Sequence, residues 1–218
     1  AAKNAGQNKS ITFTGIALTG TGSSNYTIAD SLSGNVGEIK QKALTATLSN
    51  YIYSRVYDGT TTVKESLSSA NLDTTAIVGS DKVYIATNNN GKYNDKNVAT
   101  GKLVTFSDVK LAGADAGNYS IADTLSGNVG ELTKKSITAA LANDGTFTKT
   151  YDGKTNVAQA LDNHYSLKGL VEGDSDKVSI KDSATNTSGI YNDGAAGDAK
   201  NVGTGKSITF TGIALDGD

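Results

Sequence analysis

The stretch YIYSRVY (51–57) holds side chains that suit ligand binding. It contains Tyr51, Tyr53 and the only arginine of the chain, Arg55. In a strand, successive side chains alternate between two faces, so part of this stretch is expected to face solvent. An exposed aromatic strip beside a cation is typical of an interaction surface. We therefore consider Tyr51, Tyr53 and Arg55 as a candidate ligand site for a glycan or another surface.

A second group of residues is acidic. Asp174 and Asp176 lie close together, with Glu172 just before them. Calcium binds six to eight oxygen atoms in flexible loops, so Asp174 and Asp176 are candidate calcium ligands. The twelfth residue counted from Asp174 is Thr185 instead of glutamate, which excludes an EF-hand loop. A solvated acidic loop is the simpler interpretation, and no other metal or cofactor is expected.

The residues needed for catalysis are scarce. His164 is the only histidine and the chain has no cysteine, so a nucleophile–base pair would have to use carboxylates alone. The stretch GTGKS (203–207) lacks the first glycine of a phosphate-binding loop, because position 200 is lysine. We therefore expect the protein not to be an enzyme.

Bulk composition narrows the classes of partner. The chain has 218 residues with 25 Gly, no Pro, Cys, Met or Trp, and a net charge of −2. This charge gives no electrostatic reason to bind nucleic acid or acidic lipid. No stretch approaches the roughly 18 apolar residues that a membrane-spanning helix needs.

The chain repeats itself over most of its length. SNYTIADSLSGNVGEI (24–39) returns as GNYSIADTLSGNVGEL (117–132), and KSITFTGIAL (9–18) returns as KLVTFSDVKL (102–111) and again, unchanged, at 206–215. Phe13 and Phe106 are 93 residues apart (106 − 13), and Phe106 and Phe210 are 104 apart (210 − 106). A period of this size is that of a small domain, and is longer than the 20–50 residues of a solenoid repeat. We predict that 1–41 is the C-terminal part of one repeat, 42–134 a complete repeat and 135–218 the N-terminal part of another. The chain is then expected to be part of a longer protein.

Local patterning predicts strands. In KSITFTGIAL the side chains alternate through Ile11 and Phe13, and the alternation changes phase after Thr14. A phase change of this kind indicates a bulge or corner, for which Gly15 and Gly212 are suited. We predict an all-β fold of tandem small antiparallel β-sandwich domains of immunoglobulin-like kind, in an elongated array. The alternative is a β-grasp-like unit, with one short helix formed by residues 61–72.

Two further motifs allow a structural and a chemical interpretation. Tyr57-Asp58-Gly59 returns at 151–153, and repetition favours a buried tyrosine followed by an Asp-Gly turn over a binding signature. Lys102 and Asn118 are residue types that form lysine–asparagine isopeptide bonds in some disulfide-free surface proteins. The Gly-Lys context predicts an exposed Lys102, which argues against such a bond.

Four sequence blocks occur in a fixed order: VYDGTT (56–61), GSDKV (79–83), KNVATGKLVTF (96–106) and LAGADAGNYSI (111–121). In this order they resemble the YDG-type repeats of large bacterial adhesins, including filamentous-haemagglutinin-like exoproteins. The blocks are spread between residues 56 and 121 of the range 42–134, and parts of them recur in 1–41 and 135–218. The chain departs from the family pattern in lacking proline at the end of the repeat, and in having Asp174-Ser175-Asp176 where a plain Gly-Asp is usual.

The resemblance implies a secreted protein of the bacterial cell surface, associated with the outer membrane. The function that we expect is that of stalk or spacer repeats, which project a binding region and support adhesion or biofilm formation. The alternative is a glycan- or surface-binding module that uses Tyr51, Tyr53 and Arg55.

Four expectations concern partners. We expect neighbouring repeats of the same chain to contact one another. We expect host or surface glycans to bind to other parts of the parent protein, and we expect no binding of nucleic acid. Because 1–41 holds closing strands that 135–218 lacks, we also expect head-to-tail self-association.

Overall fold

A computed structural model describes residues 3–49, 51–142, 146–192 and 199–217. The chain divides into two compact units, Ala1–Lys134 and Lys135–Asp218. The described residues form strands and short 3-10 helices and no α-helix, so the all-β prediction is confirmed. Across these four ranges, no helix has the length and apolar character that crossing a membrane requires.

The first unit begins with a hairpin. Strands β1 (Gly6–Thr14) and β2 (Ser31–Ile39) pair antiparallel, and a 3-10 helix (Ser23–Asn25) lies between them. Their alternating apolar residues satisfy the pattern of a strand, yet the side chains of Phe13, Leu32 and Val36 are 64%, 66% and 84% exposed. The hairpin therefore has an apolar face that its own unit leaves largely in contact with solvent.

Within 42–134, leaving out residue 50, the structure shows eight further strands, most of them short. They are β3 (Lys42–Ala43), β4 (Tyr53–Val56), β5 (Tyr84–Ile85), β6 (Gly91–Tyr93), β7 (Ala99–Phe106), β8 (Leu111–Ala112), β9 (Tyr119–Ser120) and β10 (Leu125–Thr133). The 3-10 helices of this range are Ser69–Asn71, Thr74–Ala76 and Ala116–Asn118.

Four of these strands form one sheet in the order β4-β10-β7-β6. Strand β10 runs antiparallel to β7 and parallel to β4, and β3 runs parallel to β9, whereas β5 and β8 are antiparallel. The prediction of purely antiparallel pairing is therefore wrong for two pairs. In the β4–β10 pair, the last strand of this range returns beside its first long strand and runs in the same direction.

The apolar core of the first unit lies inside residues 42–134. Its most enclosed side chains are Tyr53, Leu67, Val104, Phe106 and Leu132, each at most 2% exposed. Strands β4, β7 and β10 each bring alternate residues to this core, as period-2 patterning requires. The core consequently depends on strands from the beginning, middle and end of the same range.

The segment 61–72 does not form the crossing helix of the β-grasp alternative. Thr62 and Leu67 each make an isolated β-bridge, with Lys92 and Asn88, and only Ser69–Asn71 is helical, as one 3-10 turn. The side chain of Asn71 closes that turn by accepting from Ser68 N. The segment is therefore a bridged loop, in which side-chain caps replace helical hydrogen bonds.

The described residues of the second unit form six strands: β11 (Thr138–Leu141), β12 (Tyr165–Lys168), β13 (Ser179–Ile180), β14 (Gly189–Tyr191), β15 (Ile208–Phe210) and β16 (Leu215–Asp216). They pair antiparallel as β11–β12, β13–β16 and β14–β15. Val157, Leu161 and Ile180 are the buried apolar side chains, each at most 3% exposed. Every strand pair of the described residues, in either unit, joins two segments of the same range, 1–41, 42–134 or 135–218.

The corner predicted after Thr14 is confirmed. Strand β1 ends there, and Gly15 has a positive φ of 70°. The equivalent positions one and two periods later, Asp108 and Gly212, also have positive φ, at 55° and 68°. The chain thus leaves the strand through a left-handed residue in each copy, even where that residue is aspartate.

We predict that Gly91→Ala destabilises the first unit. A Cβ atom at Gly91 would lie 2.7 Å from the Phe106 ring and 2.9 Å from Val63 Cβ, in a closed core. Overpacking of this kind costs about 1–3 kcal/mol. Urea unfolding of the full chain, followed by circular dichroism, measures the change.

Gly117→Ala is the matched control, because a Cβ there meets no atom within 4 Å and neither glycine has a positive φ. The control is expected to unfold at the wild-type urea concentration. Equal effects of the two substitutions would show that Gly91 is not needed for packing against Phe106.

Candidate functional site

The three residues of the predicted ligand strip do not share one exposed surface. Tyr53 is 2% exposed and Arg55 9% exposed, whereas Tyr51 is 51% exposed. Tyr53 packs against Phe106 with ring centroids 5.3 Å apart, and burial raises the pKa of its hydroxyl. Tyr51 contacts the Tyr53 ring edge-on at 4.9 Å. Only Tyr51 of the three therefore presents much of its side chain to a ligand.

Arg55 is held by groups of its own unit. Its guanidinium lies 5.3 Å from the centroid of the Tyr93 ring, and Nη2 donates to the carbonyl of Thr60 at 2.5 Å. It also forms an ion pair with Asp58. A guanidinium that stacks on a ring and pairs with a carboxylate is engaged inside the fold rather than presented to a ligand. The arrangement indicates a structural role for Arg55.

Asp58 and Gly59 form the turn that the sequence predicts. Asp58 Oδ1 accepts from Thr60 N at 3.0 Å and from Thr60 Oγ1 at 2.8 Å, and Gly59 has a φ of 81°. Partial burial raises the pKa of the Asp58 carboxyl, but the hydrogen bonds from Arg55 and Thr60 outweigh burial and hold that pKa well below its usual range. Tyr57 is half-buried, beside the end of β10, where its N–H donates to Thr133 O at 2.9 Å.

The second copy of this motif makes the same turn with a different cation. Asp152 Oδ1 accepts from Lys154 N at 2.9 Å and from Lys149 Nζ at 2.7 Å, and Gly153 has a φ of 75°. The hydrogen bond from Lys149 lowers the pKa of the Asp152 carboxyl. Tyr151 is 60% exposed, so the prediction of a buried tyrosine is wrong for this copy.

The end of the fourth sequence block closes over the GSDKV loop. Tyr119 is buried, its hydroxyl donates to Asp81 Oδ2 at 2.9 Å, and it accepts from Val78 N at 2.9 Å. One aromatic side chain thereby fixes both a carboxylate and a backbone N–H of the same loop. We call this arrangement the tyrosine clasp.

Gly113 lets two backbone segments approach each other beside the tyrosine clasp. It has a φ of 114°, and a Cβ atom there would lie 2.1 Å from the carbonyl oxygen of Lys82. Asp115 Oδ2 accepts from Lys82 N at 2.9 Å. Gly217, one period later, has a φ of 144°, and a Cβ atom there would lie 2.6 Å from the carbonyl oxygen of Lys177. These glycines are required by close backbone approach.

The two candidate calcium ligands lie in the equivalent loop of the second unit. The Asp174 carboxylate is 3.9 Å from Lys177 Nζ, and the side chain of Asp176 is exposed. Within the part of the chain that the structure describes, no three acidic, histidine or cysteine residues gather closely enough to hold a metal ion. Asp176 corresponds to Asp81, as the shared Ser-Asp-Lys-Val sequence shows, so its position matches the carboxylate of the tyrosine clasp.

Lys102 is buried, contrary to the prediction. It is 6% exposed, and its Nζ contacts Asp95 Oδ1 at 2.6 Å. The hydrogen bond from Lys102 lowers the pKa of the Asp95 carboxyl. Asn118 Oδ1 instead accepts from Ala5 N at 2.8 Å. The lysine thus contacts a carboxylate seven residues before it, which sequence reasoning missed although Asp95 precedes the KNVATGK block.

A groove with a volume of about 530 Å³ lies within the second unit. One side is formed by residues around Phe147, Lys149 and Tyr151, and the other by residues from Val202 to Ile208. Its lining is partly apolar and partly cationic. The groove is the candidate site that the geometry of the second unit provides.

We predict that Asp58→Asn destabilises the first unit by about 1–2 kcal/mol at neutral pH, because Arg55 loses its anionic partner in a mostly buried position. The folded-state pKa of Asp58 is depressed, so its stabilisation is present above the ordinary aspartate pKa of about 4 and is lost as the pH falls below it. The variant should therefore lose less stability than wild type on acidification. Urea unfolding at several pH values tests this.

Asp73→Asn is the matched control, because Asp73 accepts from Thr75 N and Thr75 Oγ1 as Asp58 does from Thr60. A smaller effect of Asp73→Asn is expected, since no ion pair accompanies that turn in the described contacts. If both substitutions had the same effect, the turn alone would account for the role of Asp58.

A family model described as the YDG domain matches residues 1–33, 40–126 and 133–218. No curated protein and no solved structure matches the chain. The matched ranges include both Tyr-Asp-Gly turns, the tyrosine clasp and the Lys102–Asp95 contact. The chain therefore belongs to the YDG domain family.

Proposed function

We propose that the chain is a run of stalk or spacer repeats from a secreted, filamentous-haemagglutinin-like adhesin of the bacterial cell surface. The repeats project a binding region from the outer membrane and support adhesion or biofilm formation. Each repeat folds as a small β-sandwich and the repeats form an elongated array. The observation that carries the proposal is that the family blocks perform folding roles: Tyr-Asp-Gly turns in both units, and the tyrosine clasp and the buried Lys102–Asp95 contact in the first unit.

The repeated hydrogen bonds support this proposal. Five hydrogen bonds of the middle repeat recur in the second unit with donor–acceptor distances that agree within 0.1 Å. In the middle repeat they are Val63 N to Gly91 O, Leu67 N to Asn88 O, Tyr93 N to Thr61 O, Asn94 N to Leu103 O and Tyr93 Oη to Tyr53 O. Their copies, in the same order, are Val157 N to Gly189 O, Leu161 N to Asn186 O, Tyr191 N to Thr155 O, Asn192 N to Ser207 O and Tyr191 Oη to Phe147 O. Repetition of a whole framework is typical of an element whose length is its function. Folding without any cysteine suits export, because no disulfide has to form.

We predict that length scales with copy number. Chains in which residues 42–134 occur once, twice or four times in tandem should gain roughly 30 Å of maximum dimension per added copy, from the size expected of a 93-residue domain. Small-angle X-ray scattering at concentrations where the chains are monomeric measures the increment. Antibodies against the chain should also label intact cells of the source bacterium.

A Gly/Ser segment of equal length is the control, because its size grows only with the square root of its length. Square-root growth of the repeat chains would contradict a stiff stalk. Labelling only after cells are permeabilised would contradict the surface location.

The alternative function is a glycan- or surface-binding module, and one observation favours it. Tyr51 is 51% exposed, and Ile52 and Val56 beside it are 65% and 53% exposed. Exposed apolar and aromatic side chains are typical of contact surfaces.

We predict that the full chain shows no specific retention on a glycan array, as a spacer would. Tyr51→Ser should then leave the array signal unchanged and, because Tyr51 is half exposed, preserve folding. Retention of wild type that Tyr51→Ser abolishes, but that Tyr84→Ser preserves, would favour the alternative. Tyr84 is 49% exposed and serves as the matched exposed tyrosine.

A further inference from the structure

The two ranges of the first unit, 1–41 and 42–134, meet at one end of the β1–β2 hairpin. Every strand pair of the described residues in this unit stays within one range or the other, yet both ranges belong to the same compact unit. Contacts other than strand pairing therefore hold the ranges together. Hydrogen bonds and an ion pair at the hairpin end cross from one range to the other.

The crossing hydrogen bonds converge on one short turn. Ala5 and Gln41 lie just beyond the last strand pair of the hairpin, one on each strand. The backbone N–H of Ala5 donates to Asn118 Oδ1 at 2.8 Å, and Gln41 Nε2 donates to the carbonyl of Gly117 at 3.1 Å. Both acceptors belong to the 3-10 helix Ala116–Asn118, which we call the junction turn.

The junction turn is held in place by its own range. Asp115, just before the turn, donates its backbone N–H to Lys82 O at 3.2 Å and accepts from Lys82 N through Oδ2 at 2.9 Å. The N–H of Asn118 donates back to Asp115 O at 3.0 Å. The acceptors that the hairpin uses are therefore ordered by 42–134 itself, so that little further ordering is needed for the contact.

The turn forms from its local sequence. Its copy in the hairpin, Ser23–Asn25, is also a 3-10 helix that ends in asparagine. Asn25 is exposed, whereas Asn118 is half-buried and accepts from Ala5. The turn thus forms whether or not its asparagine makes this contact, and the role of Asn118 in the contact is separate from the folding of the turn.

The connection between the two ranges leaves little room for independent motion. Only Lys40 and Gln41 lie between the end of β2 and the start of β3. Two residues span at most about 7 Å. Strand β3 pairs at once with β9, the strand that follows the junction turn, and Leu44 N donates to Ser120 O at 2.8 Å. The chain is thus attached to 42–134 immediately beside the crossing hydrogen bonds.

Asp81 connects this contact to the tyrosine clasp. Its Oδ1 lies 3.7 Å from Lys3 Nζ across the boundary, and its Oδ2 accepts from the Tyr119 hydroxyl at 2.9 Å. The Lys3 side chain is 74% exposed, so the ion pair adds little stability by itself. Tyr119 directly follows Asn118 in the chain. The residues that close the middle repeat therefore also receive the hairpin.

The donors of the hairpin end return in the sequence one period later. The copies of Ala5 and Gln41 are Val98 and Lys134. Valine supplies the same backbone N–H, and lysine, like glutamine, ends in a nitrogen that donates hydrogen bonds. The end of the β7–β10 pair consequently carries the same kinds of donor as the end of the β1–β2 hairpin.

We infer that the junction turn and Asp81 form the surface on which a repeat receives the end of the preceding repeat, and that this contact fixes the angle between the two. The partner is the neighbouring repeat of the same chain, recognised through a backbone N–H and a side-chain donor. The inference rests on the proposal that 1–41 and 42–134 belong to successive repeats of a stalk. It assigns the stiffness of the stalk to polar contacts that a two-residue linker keeps at high effective concentration.

Distances between spin labels test whether the junction fixes the angle. The chain has no cysteine. Ser33→Cys on the hairpin and Lys92→Cys on β6, both at exposed positions, therefore carry one label each. Double electron–electron resonance should give a single narrow distance. Adding Gln41→Ala and Asn118→Ala removes both crossing hydrogen bonds, so the narrow distance should be lost and a broad distribution should replace it.

Gln7→Ala with Asn25→Ala is the matched control, because it removes the same two residue types at exposed positions of the hairpin. The control should keep the narrow distance. A broad distribution before any of these alanine substitutions, or a narrow one after Gln41→Ala and Asn118→Ala, would overturn the inference.

Hydrogen exchange tests the contact in the unmodified chain. Because the Ala5 N–H donates to Asn118 across the boundary, it should exchange more slowly than in an unfolded peptide of the same sequence. Its exchange should become roughly 3- to 10-fold faster in Asn118→Ala, as expected for the loss of one hydrogen bond, and should stay unchanged in Asn25→Ala. An unprotected Ala5 amide in the wild-type chain would overturn the inference whatever the variants do.

These measurements separate the junction from the cellular role of the protein. Absence of the chain from the cell surface would contradict the proposed stalk function and would leave the label distances and the exchange rates unaffected. A flexible junction in a protein that antibodies detect on intact cells would overturn the inference alone.

Discussion

The position of β10 between β4 and β7 is the constraint on which the rest of the middle repeat depends. Strand β10 satisfies the backbone groups along one edge of each neighbour, and it brings Leu132 into the core beside Tyr53 and Phe106. A central strand of this kind leaves no unpaired edge inside the sheet. Because β10 is the last strand of the range and β4 the first long one, a single contact closes the whole repeat.

Short strands would hold this arrangement weakly without the loops between them. In the parts of the chain that the structure describes, aspartate and asparagine side chains repeatedly accept a hydrogen bond from the backbone N–H two residues further on, as Asp58, Asp73, Asn88, Asp95, Asp152 and Asn186 do. Each such turn fixes a loop locally, so less of the stabilising free energy has to come from the hydrogen bonds between strands. The abundance of Asp, Asn, Thr and Gly in the sequence is thereby explained by folding. The residues of the family motif belong to the same set of local contacts.

Sequence patterning predicted the strand in KSITFTGIAL and the corner that follows it, because alternation and left-handed residues are local properties. It did not predict which face of β4 is buried, since alternation separates two faces without identifying the core side. Tyr53 and Arg55 consequently lie inside, where an exposed strip was expected. Asn90-Gly91 also has the sequence of a turn, yet Gly91 begins strand β6. Position 91 is glycine because the Phe106 ring occupies the space that any Cβ would need. Such contacts join residues distant in sequence, and local patterns do not contain them.

The three copies of one phenylalanine show that a repeat has its core only as a whole. Phe13 is 64% exposed, Phe106 is fully buried and Phe210 is half-buried, although each follows a lysine by four residues in a similar strand. Local β propensity forms the strand in each case, but burial depends on which other strands of the period are present. Near-identity between neighbouring copies therefore means that each repeat brings the same strands to its own core, which makes duplication of repeats structurally simple.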